Sequence, residues 1–317
     1  MAFNGAAPLP GALAISTDRR TAIDFHMAQR DNREHAEKLG NADMIDIAAM
    51  QTDRGLVKTS AGHIHYRAAG SGEAILLFHI NQQSSAVYLE LMAALSGRFR
   101  AIAIDYPSYG MSDHIAFQPT IEDYARWMVE IMDRLGIARA HVLGEATGAA
   151  VCIELASAFA DRIGKVILVN CPIYLDEGAA ERTHAPLKSG LRPTDASGFP
   201  LTRTLEFMLE QDPGHTPMHP TQSWMDRINV AQMETGRDRW QALDALHEYD
   251  IAGKLKRITQ PTLLLIGERF HYVHLKHEFT SRVPGMRCEV LPGGRFGMAW
   301  EKAEDIGRMA IDFIDRR

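Results

Sequence analysis

Apolar and polar positions change rhythm several times along the chain, and each change marks an element. Up to about residue 54 the pattern is sparse. A loose arm over roughly the first 20 residues leads into "TAIDFHMAQRDNREHAEKLG", a charged helix that Gly40 would end. From Gly55 the pattern becomes strand-like: "GLVKTSAG" and "HIHYRAAG" read as two short strands across a glycine turn, the second alternating like a half-buried strand. "EAILLFHI" (73–80) is apolar without interruption, which marks a strand covered on both faces. A helical segment, "RAIAIDYP" (100–107), a helix over about 120–135 and "AHVLGE" (140–145) follow. A helix then starts near Thr147, and "KVILVN" (165–170) is the next strand.

Strand and helix thus alternate, which predicts an α/β fold with a mostly parallel central sheet and flanking helices. The alternation stops at Pro172 and resumes with "PTLLLIGE" (261–268), "CEVLPGG" (288–294) and the terminal helix "EKAEDIGRMAIDFIDRR". Between them lie helical patterns and the Pro/His-rich "DPGHTPMHPTQ". Three parts are expected: an extension with a charged helix (1–54), a core (55–173 and 251–317) and an inserted helical cap (174–250).

Composition narrows the function. With 317 residues, 46% of them hydrophobic, the chain can bury a large core. A net charge of -6, without a basic run of five residues, argues against a nucleic-acid partner. Three scattered cysteines form neither a disulfide framework nor a zinc motif. No apolar stretch nears the ~20 residues of a membrane span, and the start of the chain lacks signal-peptide design. A cytoplasmic protein is expected, with a small molecule as partner and a homo-oligomer through the N-terminal extension as an option.

Four patterns, in order, resemble the α/β-hydrolase fold from about Gly55 onward. His79 resembles the start of an H-G-x-P oxyanion loop. "DYPSYGMSD" (105–113) resembles D-x-P-G-x-G-x-S. "GEATG" (144–148) has the frame of a nucleophile elbow, and "QPTLLLIGE" resembles the strand that delivers the acid. The resemblance implies a nucleophile at Ala146, which has no lone pair, so no acyl-enzyme can form there. It implies an acid at Phe270 and a base at Arg295, or at Phe296 if counted back from Glu301. All three members of a Ser-His-Asp triad are replaced.

The remaining chemistry is expected from other groups. By resemblance, the amides of Ile80 and Thr147 are the oxyanion donors, with Asn81 adding a side-chain amide. Gln82 and Gln83 are read as capping the next helix or facing solvent. Glu145 is either a general base or a buried carboxylate tied to its surroundings; His79 is an acid/base or a loop anchor. Arg295 either clamps an anion or pairs with a cap acid. His271 and Tyr174 are expected to line the substrate site, and Ser112 is read as a turn residue. His271, His274 and His277 are too far round a helix to share a metal. Cap methionines, Met225 and Met233 among them, suit an apolar pocket.

The expected function is cofactor-independent action on a small carbonyl compound (ester, lactone, ketone or β-keto acid), with oxyanion stabilisation and no metal. Two alternatives stay open. One is an ester or C–C bond hydrolase whose native serine at 146 was replaced by alanine. The other is a small-molecule binding protein without catalysis.

Overall fold

The computed structural model describes residues 47, 50–176, 178–182 and 221–316. The charged helix expected before Gly40 and the Pro/His-rich stretch up to Pro220 lie outside the described residues.

Eight strands form one sheet: β1 (Asp53–Thr59), β2 (Gly62–Ala69), β3 (Ala74–Phe78), β4 (Arg100–Ile104), β5 (Ala140–Glu145), β6 (Ile163–Val169), β7 (Thr262–Gly267) and β8 (Arg287–Leu291). Their spatial order is β1-β2-β4-β3-β5-β6-β7-β8. β1 and β2 form an antiparallel hairpin, and β2 runs antiparallel to β4. From β4 to β8 every pairing is parallel. The unbroken apolar run in β3 follows from its place: all five residues are buried, between β4 and β5. Leu76 and Phe78 enter the core on one face of the sheet, while Ile75 and Leu77 enter the core on the other.

Nine α-helices are described: α1 (Leu89–Ser96), α2 (Ile121–Arg134), α3 (Thr147–Ala158), α4 (Gln222–Thr235), α5 (Gln241–His247), α6 (Ile251–Leu255), α7 (Lys276–Arg282), α8 (Met298–Glu301) and α9 (Ala303–Asp315). One core joins α2, α3, α5, α6 and α7 to the sheet; the opposite core joins α1, α4, α8 and α9. α2 starts where Thr120 and Asp123 form a reciprocal capping box, and its buried face carries Tyr124, Met128 and Ile131. α3 is buried from Thr147 through Ala156, so it shows no polar face.

The chain leaves β3 toward β4 by way of α1 on one face, and leaves β5 toward β6 by way of α3 on the other. Connections diverging from neighbouring parallel strands leave a crevice beyond their carboxyl ends, where open α/β sheets take their ligands. Here that point lies past Phe78 and Glu145.

Candidate functional site at the ends of β3 and β5

The turn from β5 into α3 is strained. Ala146 has φ 50° and ψ -106°, a conformation L-residues seldom adopt. Its amide donates to Val169 O at 3.1 Å, and its carbonyl accepts from Ala149 N. The flanking glycines allow the close approach. A Cβ on Gly148 would overlap Phe78 O, and one on Gly144 would overlap the Gly148 carbonyl. The elbow is therefore pressed against the end of β3. Neither Thr147 N nor Ile80 N has a hydrogen-bond partner among the described residues.

Three expected acid/base or anion-binding residues are occupied elsewhere. His79 is fully buried, with Nδ1 2.8 Å from Ile80 O and Nε2 accepting from Tyr106 N at 3.3 Å. Burial drives its pKa down to about 4, against the Asp105 charge and the Ile80 carbonyl, so the ring is a neutral anchor of its loop. Glu145 points behind the elbow. Its Oε1 accepts from Asn170 Nδ2 at 3.1 Å and Met298 N at 3.0 Å, and its Oε2 from Ala299 N at 3.2 Å. Burial raises its pKa to about 7, opposed by Asn170 and the amides that open α8. The Arg295 guanidinium forms a two-point ion pair with Glu301, each contact 3.1 Å. That acid belongs to α8, not to the cap as the sequence suggested.

Two phenyl rings meet past the ends of β7 and β8. Phe270, three residues past β7, is buried, and its ring lies nearly parallel to Phe296 at a centroid distance of 6.5 Å. Phe296 is thus a neighbour of Phe270 in space, while Arg295, next to it in sequence, turns to Glu301. Phe270 also meets His271 at 4.5 Å and Tyr272 at 5.6 Å, while Tyr174 stands edge-on to Tyr272 at 6.1 Å. His271 is solvent-accessible, yet surrounding protein, with His274, lowers its pKa to about 4.

Of the other expected residues, some keep their reading and some do not. Gln82 and Gln83 are buried and do not face solvent; Ser84 caps the 3-10 turn Ser85–Tyr88 instead. Ser112 is a turn residue, accepting from His65 N and donating to Asp105 O. His271 precedes any helix: Val273–Leu275 is a 3-10 turn and α7 starts at Lys276, so the regular-helix geometry assumed for the three histidines does not apply. Among the described residues, no group of three or more His, Cys, Asp or Glu could hold a metal ion. Met225 packs against the core, and Met233 is exposed on α4.

Two residues escaped sequence reasoning. Asn170, at φ 43°, donates to both Glu145 and Arg295 O (2.7 Å) and accepts from Gly267 N (2.9 Å), joining the ends of three strands. An asparagine ending an apolar strand was its only signal. Tyr109 accepts from Ala242 N and reaches Asn81, linking the crevice to α5.

Comparison with known proteins agrees with this architecture. The chain is 26% identical over 284 residues to 2-hydroxy-6-oxo-6-phenylhexa-2,4-dienoate hydrolase of Comamonas testosteroni, covering 80% of this chain and 92% of that protein. It is 37% identical over 219 residues to haloalkane dehalogenase 2 of Mycobacterium tuberculosis, covering 66% and 75%. The solved enol-lactonase of Burkholderia xenovorans superposes with a TM-score of 0.68 at 21% identity, over 83% of this chain and all of that one. No described helix is long and apolar enough to cross a membrane. Residues 73–302 match the family profile for the alpha/beta hydrolase fold, and the chain belongs to that family.

Proposed function

We propose that the chain is a cofactor-independent enzyme that acts on a small carbonyl compound without forming an acyl-enzyme. The observation carrying this reading is the combination at one strand edge. A methyl group occupies the strained apex, the acid position falls on Phe270, and the base position falls on Arg295 or, in the other register, on Phe296, whose ring lies nearly parallel to that of Phe270. A triad needs a lone pair, a titratable relay and an orienting acid; Ala146, Arg295 or Phe296, and Phe270 supply none of them.

The strained turn puts the Thr147 amide at the start of α3, where Gly148 is pressed against the end of β3 two residues before Ile80. Two fixed N–H donors suit an oxygen that gains negative charge, such as an enolate or carboxylate, and each is worth roughly 3 kcal/mol when aimed at it. The aromatic wall of Phe270, His271, Tyr272 and Tyr174 suits a planar, unsaturated body. The relatives' names include a phenyl-substituted oxo-dienoate and an enol-lactone, both of this chemical kind. Isomerisation, decarboxylation or lactone chemistry through an enolate fits these parts, with His271 the exposed proton carrier beside the wall.

The test is product formation from a panel of unsaturated keto acids and enol-lactones, run beside 4-nitrophenyl acetate. Turnover of a panel member with no nitrophenolate burst is expected, and Ala146→Ser should leave that turnover largely intact. A burst from the unaltered chain sinks the reading. Esterase activity gained by Ala146→Ser alone would favour a hydrolase whose serine was replaced. Ligand-induced thermal stabilisation with no product from any compound would favour binding alone.

A further inference from the structure

We propose that Tyr109 is a positioning residue that fixes the Asn81 carboxamide so that its N–H2 faces the crevice, and that one hydroxyl proton links this donor to the cap. The inference rests on the reading of the crevice as a small-molecule site. Tyr109 is fully buried after β4, and its ring stands 5.6 Å from His79, the anchor of the oxyanion loop. Its Oη accepts from Ala242 N at 2.9 Å. Its proton has two acceptors in range, Asn81 Oδ1 at 3.0 Å and Arg239 O at 3.3 Å. A hydroxyl has a single proton to give, so the two compete.

The bond to Asn81 decides which end of the amide is presented. With Oδ1 held by Tyr109, Nδ2 turns the other way, and it has no partner among the described residues. Asn81 is only partly buried and directly follows Ile80, so this side-chain donor stands next to a main-chain donor. A ligand oxygen that accepts from Nδ2 polarises the amide and makes Oδ1 the better acceptor. The Tyr109 proton then shifts to Asn81 and leaves the Arg239 carbonyl. Filling the crevice thus weakens one tie to the segment that leads into α5.

The test is titration of the full chain with phenylpyruvate, an aryl keto acid, followed by 15N NMR of the Asn81 side-chain pair and the Ile80 and Thr147 amides. In the unaltered protein all three signals should shift with one dissociation constant. Tyr109→Phe should weaken binding roughly tenfold, the scale of one well-placed hydrogen bond. Asn81→Ala should weaken it by a similar factor. In the Asn81→Ala background, Tyr109→Phe should cost nothing further, which a purely structural tyrosine would not do. Asn81→Asp retains an acceptor for Tyr109 but has no N–H to offer. It should lose the ligand while staying folded, which keeps the test open if Tyr109→Phe misfolds. Equal weakening by Tyr109→Phe in both backgrounds, or none in either, overturns the role of Tyr109 while leaving the site. Failure of all three signals to move in the unaltered protein overturns the site reading as well.

Discussion

At the scale of single residues, the turn at Ala146 stores backbone strain. A non-glycine residue in such a conformation costs about 1–3 kcal/mol, against roughly 0.5–1 kcal/mol for the extra freedom glycine loses on folding. Ala146→Gly should therefore raise the stability by about 1 kcal/mol, seen as a higher Tm; a lower Tm would mean that no strain is stored there. Glu145 gives a second test. Its ordinary carboxylate value is 4.5 and the folded value is raised to about 7. The folded protein thus holds this proton more tightly than the unfolded chain does. The stabilising contribution is complete below about pH 4.5 and is lost as pH rises through about 7, by a total of order ~3 kcal/mol. Glu145→Gln should flatten that part of the profile in urea unfolding at pH 5 and pH 8; unchanged slopes would refute the assignment. The strained turn at Ala146 was legible because two glycines frame it within five residues. Asn170 was not, since its partners lie 25, 97 and 125 positions away, and no local pattern encodes them.

At the scale of elements, periodicity located every strand, because covered parallel strands and an alternating hairpin each leave their own signature. It was weaker at the end of the chain. One terminal helix was expected from residue 301, but Lys302, at φ -115° and ψ 27°, separates α8 from α9. The break matters because the first amides of α8 hold Glu145, while Trp300 on the same helix stacks on Trp224 of α4 at 4.4 Å. α4 has a second anchor, the ion pair of Arg227 with Glu90 at 2.5 Å, nearly buried on both sides. Sequence gave no hint of either contact, since both join segments more than 70 residues apart. Removing one buried partner costs more than removing both, because the remaining charge is stranded. Arg227→Met should cost about 3–5 kcal/mol, and adding Glu90→Leu should recover most of the loss in denaturant unfolding. Equal losses in the single and double variants would mean that packing, not charge, anchors α4.

At the scale of the molecule, the geometry at the strand ends is separable from the side chains it carries. The strand order, the pressed elbow and the diverging connections are backbone properties, and they do not depend on the side chain at the apex. On the proposed reading, the loops that carry Phe270 and Phe296 approach as an acid and its base would need to. If so, chemistry can be put back by substitution alone. Ala146→Ser by itself should hydrolyse 4-nitrophenyl acetate no faster than the unaltered chain, since no base adjoins the hydroxyl. Adding Phe296→His and Phe270→Asp supplies the relay, and general-base assistance of ~10²-fold or more over the single variant is expected. The triple variant should also unfold more readily, because Phe270 is buried and a carboxylate there loses water that one imidazole replaces only in part. Stopped-flow release of nitrophenolate reads both the burst and the steady rate. A folded triple variant no faster than Ala146→Ser would show that the loops have drifted from triad register, and that the retained strain at residue 146 serves the backbone amides alone.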